Sequence, residues 1–295
     1  MASEPRASSF NLVAPPYHRL LALDDPRELH ARGALHPGTG LLWHLNEGGW
    51  ARGYPGVRRR PGGVALLVVL PPAELLGDVQ ELLEMVELCR PHSLLPYHPV
   101  PDPEEAALLL RRPPDDLAGE VLDYLAWRGI RIEMETRRLV AKTFELSDHL
   151  QTVRGLSRSL YLSRRALGRR FRKHGLPVPS HWLHIARILR ACIELQNSDR
   201  SLFHVATTLG YSDGFSLSNQ MMRLTGHRPS DSRVYLGWEW IFEAWLQREE
   251  QEGRLLHSLE EEPSNITDPS HDRDPSTEPG AHSTSYDRYR ESAKK

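Results

Sequence analysis

The sequence predicts an α/β N-terminal domain, then an all-α C-terminal domain with two helix-turn-helix units joined by a long helix, then a disordered C-terminal tail. Three observations predict this. Val64–Leu70 is a continuous aliphatic run closed by Pro71-Pro72, as a strand buried on both faces requires. Between Thr152 and Gly226 one helical pattern occurs twice, each copy closed by a glycine. Beyond Leu259 the composition collapses into Glu, Ser, Pro, Asp, Thr and Lys, with too little apolar surface to fold.

In order, residues 1–9 read as disordered, 10–131 as the α/β domain, 132–256 as the all-α domain and 257–295 as the disordered tail. Glycine and proline pairs break Phe10–Gly63 into short pieces, of which Leu41–Leu45 reads as a strand. Arg58-Arg59-Arg60 is a basic cluster that fits a solvated loop or a phosphate contact. After the Val64–Leu70 strand comes a helix over Ala73–Cys89, with Leu75, Leu76, Val79, Leu82, Leu83, Val86 and Cys89 expected inward. Ser93–Leu95 reads as a second strand, and Pro103–Arg111 and Pro114–Arg128 as helices, the latter with Leu117, Val121, Leu122 and Leu125 inward. Strand alternating with helix argues a small parallel α/β layer, loosely similar to the second half of a receiver domain. No acidic cluster supports a phospho-acceptor site there.

Glu133–His149 reads as a helix that joins the two domains or opens the second. From Thr152 to Arg190 there are ten Lys or Arg and no Asp or Glu, although the whole chain carries a formal charge of only -2. Such a local excess fits a phosphate-binding surface or a merely solvated face. Val153, Leu156 and Leu160 give a short first helix. Ser163 is an N-cap, Leu167 and Phe171 share the inward face of a second helix, and Gly175 ends it. Arg165, Gly168, Arg169 and Arg172 fall on the opposite face. In the second copy Val205, Ala206 and Leu209 lie inward, Gly210 turns, and Ser212 or Asp213 caps. Leu217 and Met221 then take the places of Leu167 and Phe171, and Gly226 that of Gly175. The connecting helix, Ser180–Asn197, spans roughly 27 Å, near the ~34 Å between successive major-groove openings on one face of DNA.

These stretches, Leu162–Phe171, the connecting helix, Leu202–Asn219 and Thr225–Ser230, resemble the DNA-binding domain of the AraC/XylS transcription regulators, over about a third of the chain. The resemblance implies sequence-specific binding of double-stranded DNA by two recognition helices. Residues at the matching base-reading positions are Arg165, Gly168, Arg169, Gly214, Phe215, Ser218 and Asn219. Arginine can grip guanine, asparagine can grip adenine, and an aromatic ring can touch a thymine methyl. Arg164, Arg170, Arg172 and Lys173 fit phosphate contacts, which position without specifying. RNA polymerase and a second copy of the chain are further candidate partners. Several features depart from the family pattern. Tyr161 stands where the first turn usually has glycine and must be strained or reshape the turn. Gly168 gives up a side chain in the first unit; in the second, Asn219 replaces a common arginine and Gly214 and Phe215 are unusual neighbours, so the first unit is expected to dominate affinity and the second to contribute less electrostatically. The N-terminal segment lacks the evenly spaced strands of a cupin-type sensory domain, so no effector is implied.

Other functions find less support. P-loop, G-x-S-x-G, H-E-x-x-H and dinucleotide fingerprints are absent from the sequence, which argues against an enzyme, and no cofactor is expected. His181 and His184 lie three apart on the connecting helix without an acidic or cysteine partner nearby in sequence, and His92 and His98 read as surface residues. Cys89 and Cys192 are too few for a disulfide framework and read as buried thiols. With no signal-peptide pattern and no run long enough to span a bilayer, a cytoplasmic location and no membrane partner are expected. The helix after Pro229, expected to reach Leu256, carries Val234, Trp238, Ile241, Phe242 and Trp245. That face either docks on the chain's own core or serves a protein partner. An adaptor using it, or a sequence-indifferent DNA binder, is the alternative to a sequence-specific regulator.

Overall fold

The computed structural model describes residues 9–11, 19–23, 29, 35, 38–45, 56–75, 78–97, 102–234 and 237–257. A five-stranded sheet runs in the order β1 (Ser9–Asn11), β2 (Arg19–Leu23), β3 (Thr39–His44), β4 (Ala65–Val69) and β5 (Ser93–Leu95). β2 to β5 are parallel, and β1 adds an antiparallel edge. All five residues of β4 are buried, because the sheet is covered on both faces. Alternation sorts the side chains into two layers. Leu21, Leu41, Trp43, Leu66 and Val68 meet Met85 and Cys89 of helix α1 (Val79–Cys89) on one face. Leu20, Leu42, Leu67 and Val69 meet Ala106 and Leu110 of α2 (Pro103–Arg111) on the other.

Several expectations change here. β2 was not read from the sequence. The helix expected from Ala73 is a 3-10 turn over Ala73–Leu75 followed by α1, because Asp78 accepts from the Gln80 N–H at 2.8 Å and starts a new helix. Leu75, Val79 and Leu83 are exposed, since a helix lying on a sheet buries one narrow stripe. Leu76 and His98 lie outside the described residues. Arg60 is neither solvated nor free for phosphate. It is 2% exposed, donates to the Val64, Cys89 and Arg90 carbonyls at 2.8, 2.6 and 3.0 Å, and stacks 4.6 Å over Trp127. Burial lowers its pKa to about 10. Both cysteines are buried and outside any disulfide, and burial pushes their thiols up, Cys89 to about 11 and Cys192 to about 12.

Helices α3 (Leu117–Trp127) and α4 (Met134–Glu145) pack on each other. The face read at Leu117, Val121 and Leu125 is inward, but it joins the core of the all-α part. That core continues through α5 (Val153–Ser159), α6 (Arg164–Lys173), α7 (Pro179–Asn197), α8 (Leu202–Thr208), α9 (Gly214–Thr225) and, past α10 (Pro229–Val234), which packs on α7, α11 (Trp238–Gln251). The last two replace the single helix expected after Pro229, with Gly237 at the start of α11. The Val234 side chain lies outside the described residues. The aromatic face of α11 docks inward: Trp238 is 8% exposed and Trp245 0%, so it offers no partner surface. The described residues form one compact unit. Trp240 packs against both the sheet core and the helical core.

Candidate nucleic-acid interface

The two helix pairs are built alike. Thr152 caps α5 by accepting from the Gly155 N–H at 3.1 Å, and Ser201 caps α8 from His204 at 3.2 Å. In the turns, the Leu162 N–H donates to the Ser157 carbonyl and the Tyr211 N–H to that of Ala206, both at 2.9 Å. The left-handed position is Tyr161, φ 52°, in the first turn and Gly210, φ 74°, in the second. The first turn therefore keeps its shape and holds a strained tyrosine. Ser163 caps α6 through Ala166 at 3.1 Å, and Asp213 caps α9 through Ser216 at 2.7 Å. The Ser216 N–H holds the Asp213 carboxyl below the usual carboxylate range.

The helix α6 is sharply two-sided. Leu167 and Phe171 are fully buried, and Phe171 meets the Trp182 ring edge-on at 6.3 Å. Arg164, Arg165, Arg169, Arg170, Arg172 and Lys173 are all exposed. Gly168 stands among them with open space where a Cβ would lie. Arg170 is held by Glu135 of α4 at 2.7 Å, so an acid from outside the unit partly answers this cation. Arg172 reaches back to the Gly168 carbonyl at 3.4 Å. The end of α6 is tied down: Leu256 N–H donates to the Gly175 carbonyl at 2.8 Å, and His257 Nε2 donates to the His174 carbonyl at 2.8 Å.

The second helix presents different chemistry. Leu217 and Met221 of α9 are buried. Phe215 is 74% exposed, Asn219 is exposed, and Gly214 and Ser218 are half-buried. Its one cation is Arg223 in the last turn. The spacer α7 has 19 residues, about 28 Å.

Two of the ten cations counted in the basic stretch are structural. Arg187, 5% exposed, donates to the Leu209 carbonyl at the end of α8 and stacks 4.1 Å over the Tyr211 ring, fixing the second turn. Arg190 donates to Ser147 Oγ and the Phe144 carbonyl, both at 2.7 Å, closing the end of α4. His181 Nδ1 lies 3.0 Å from Glu249, whereas burial, with Arg187 nearby, lowers the His184 pKa to about 4. Among the described residues, no group of three or more His, Cys, Asp or Glu could hold a metal ion.

A set of buried carboxylates on α11 escaped the sequence reading. Glu239 pairs with Arg90 and with His92 at 3.3 Å, so His92 is not a surface residue. Glu243 accepts from the Tyr124 hydroxyl at 2.8 Å and from Arg128 at 2.9 and 3.1 Å. Two carboxylates four apart on an aromatic helix were the available signal, since buried charge demands partners. They join α11, which also packs on α9 and α7, to α3 and the end of α1.

A family model described as a helix-turn-helix domain matches residues 156–234, which run from α5 through α10. The match supports an AraC-type DNA-binding domain in this part of the chain, a regulatory rather than a catalytic module, and leaves the N-terminal layer outside it. No curated protein and no solved structure matches the chain. No described helix is long and apolar enough to cross a membrane.

Proposed function

We propose that the chain is a sequence-specific, double-stranded-DNA-binding transcription regulator of AraC type that seats α6 and α9 in adjacent major grooves. The observation that carries the reading is the paired units inside the matched segment, whose second helices bury Leu167/Phe171 and Leu217/Met221 and leave Arg165, Arg169, Phe215 and Asn219 exposed. Arg165, Gly168, Arg169, Gly214, Phe215, Ser218 and Asn219 are the base-reading set. Arg164, Arg170, Arg172 and Lys173 hold phosphates, Arg170 by giving up Glu135. In this reading residues 132–256 form the DNA-binding domain, with α3 packed against it, and residues 10–131 carry the input. RNA polymerase and a second copy of the chain are its protein partners.

Variants separate the two kinds of contact. Arg169→Ala costs about 1–3 kcal/mol of binding and relaxes preference at one base position. Arg172→Ala weakens binding evenly across sequences and lowers the log–log salt slope by about one. Competition between duplexes at two salt concentrations reads both. Equal loss on all sequences for Arg169→Ala moves that residue to the phosphate set. Absence of binding at low salt overturns the reading.

A further inference from the structure

We propose that Tyr161 is a contact to the DNA sugar–phosphate backbone, its phenol hydroxyl donating to a phosphate oxygen beside the groove that α6 enters. The inference rests on the DNA-binding reading above. The two units make the same turn with the same backbone hydrogen bond, and the second fills its left-handed position with Gly210 at φ 74°. The first holds a tyrosine there at φ 52°, a region that strains an L side chain. Packing of the ring would offset such strain, yet Tyr161 is 96% exposed. Its side chain has no hydrogen bond or ring contact to any described residue, so the fold gains nothing from the phenol that glycine would not supply. Strain retained without a structural return points to function.

The neighbourhood identifies the partner. Arg158, Arg164 and Arg165 are exposed close by in sequence, and no Asp or Glu occurs between Thr152 and Arg190. A neutral hydroxyl donor flanked by guanidinium groups suits a phosphate backbone, where tyrosine hydroxyls serve as positioning contacts.

The test uses the full chain, a fluorescent duplex of mixed sequence, and the variants Tyr161→Phe and Tyr161→Gly. Both variants should lose roughly tenfold in affinity, the worth of a hydrogen bond to a charged group. Their salt slope should equal that of the unaltered chain, because no charge is removed. Tyr161→Phe should leave the melting temperature unchanged, whereas Tyr161→Gly should raise it. That opposition of higher stability and weaker binding separates a contact role from a structural one. Unchanged affinity in both variants overturns the proposal. A lower melting temperature for Tyr161→Gly overturns the strain argument. If the unaltered chain itself fails to bind at any salt concentration, the DNA-binding reading falls together with this proposal.

Discussion

Gly168→Ala should make the chain more stable and change what it reads. Gly168 lies inside α6 between the buried Leu167 and the exposed Arg169, and its φ is not in the left-handed region. A Cβ built there meets no heavy atom within 4 Å, so alanine introduces no clash. The gain is then the helix-propensity difference alone, about 0.8–1.0 kcal/mol. For a unit of this size that raises the melting temperature by roughly 2–4 °C, read by circular dichroism without DNA. In duplex competition the added methyl should alter preference at one base position and leave the salt slope unchanged, because it carries no charge. A melting temperature that stays level or falls would refute the placement of residue 168 in an open helix interior. Unchanged base preference would remove it from the reading face.

Glu243→Leu leaves Arg128 and the Tyr124 hydroxyl without their acceptor, and should cost about 3 kcal/mol, read as a lower denaturant midpoint; a loss below about 1 kcal/mol would place the pair outside the core. The folded-state pKa of His184 is lowered to about 4, so the unfolded chain binds that proton first, and stability should fall as pH drops from about 6.5 to about 4. His92 and His227, also lowered by burial, add slope of the same sign. His184→Gln should flatten part of it, and an identical pH profile for the variant would contradict the assignment. Glu135→Gln releases Arg170 from its 2.7 Å partner, should cost less than about 1 kcal/mol of stability, and should steepen the salt slope by about one; an unaltered slope would take Arg170 out of the phosphate set.

The helix pairs were legible in the sequence because their signals are local. The cap at Ser163, the choice of Ser212 or Asp213 that the structure gives to Asp213, inward residues at helical spacing, and turn positions at fixed offsets are all set by near neighbours. Strain at Tyr161 was one of the two outcomes that the resembled family's glycine at that turn left open. Long-range choices were not legible. The inward stripe of α3 was read, yet its destination was not, because packing partners lie outside any window of periodicity. Short β2 has no alternation of its own, and its parallel pairing with β3 defines it. Charge alone could not separate Arg187 and Arg190, which close helix ends, from the exposed cations of α6. Nor could it tell that Arg60 is enclosed while Arg59 beside it is exposed.

The most direct test of the central claim is selection of bound duplexes from a random pool by the full chain, repeated at two salt concentrations. The account predicts an enriched motif with two half-sites about ten base pairs apart, one helical turn of DNA. Arg165 and Arg169 should place guanine in the half-site under α6, and Phe215 and Asn219 should place thymine and adenine under α9. Binding that falls steeply with salt yet enriches no sequence would contradict it, leaving the cations of α6 as a phosphate-holding surface only.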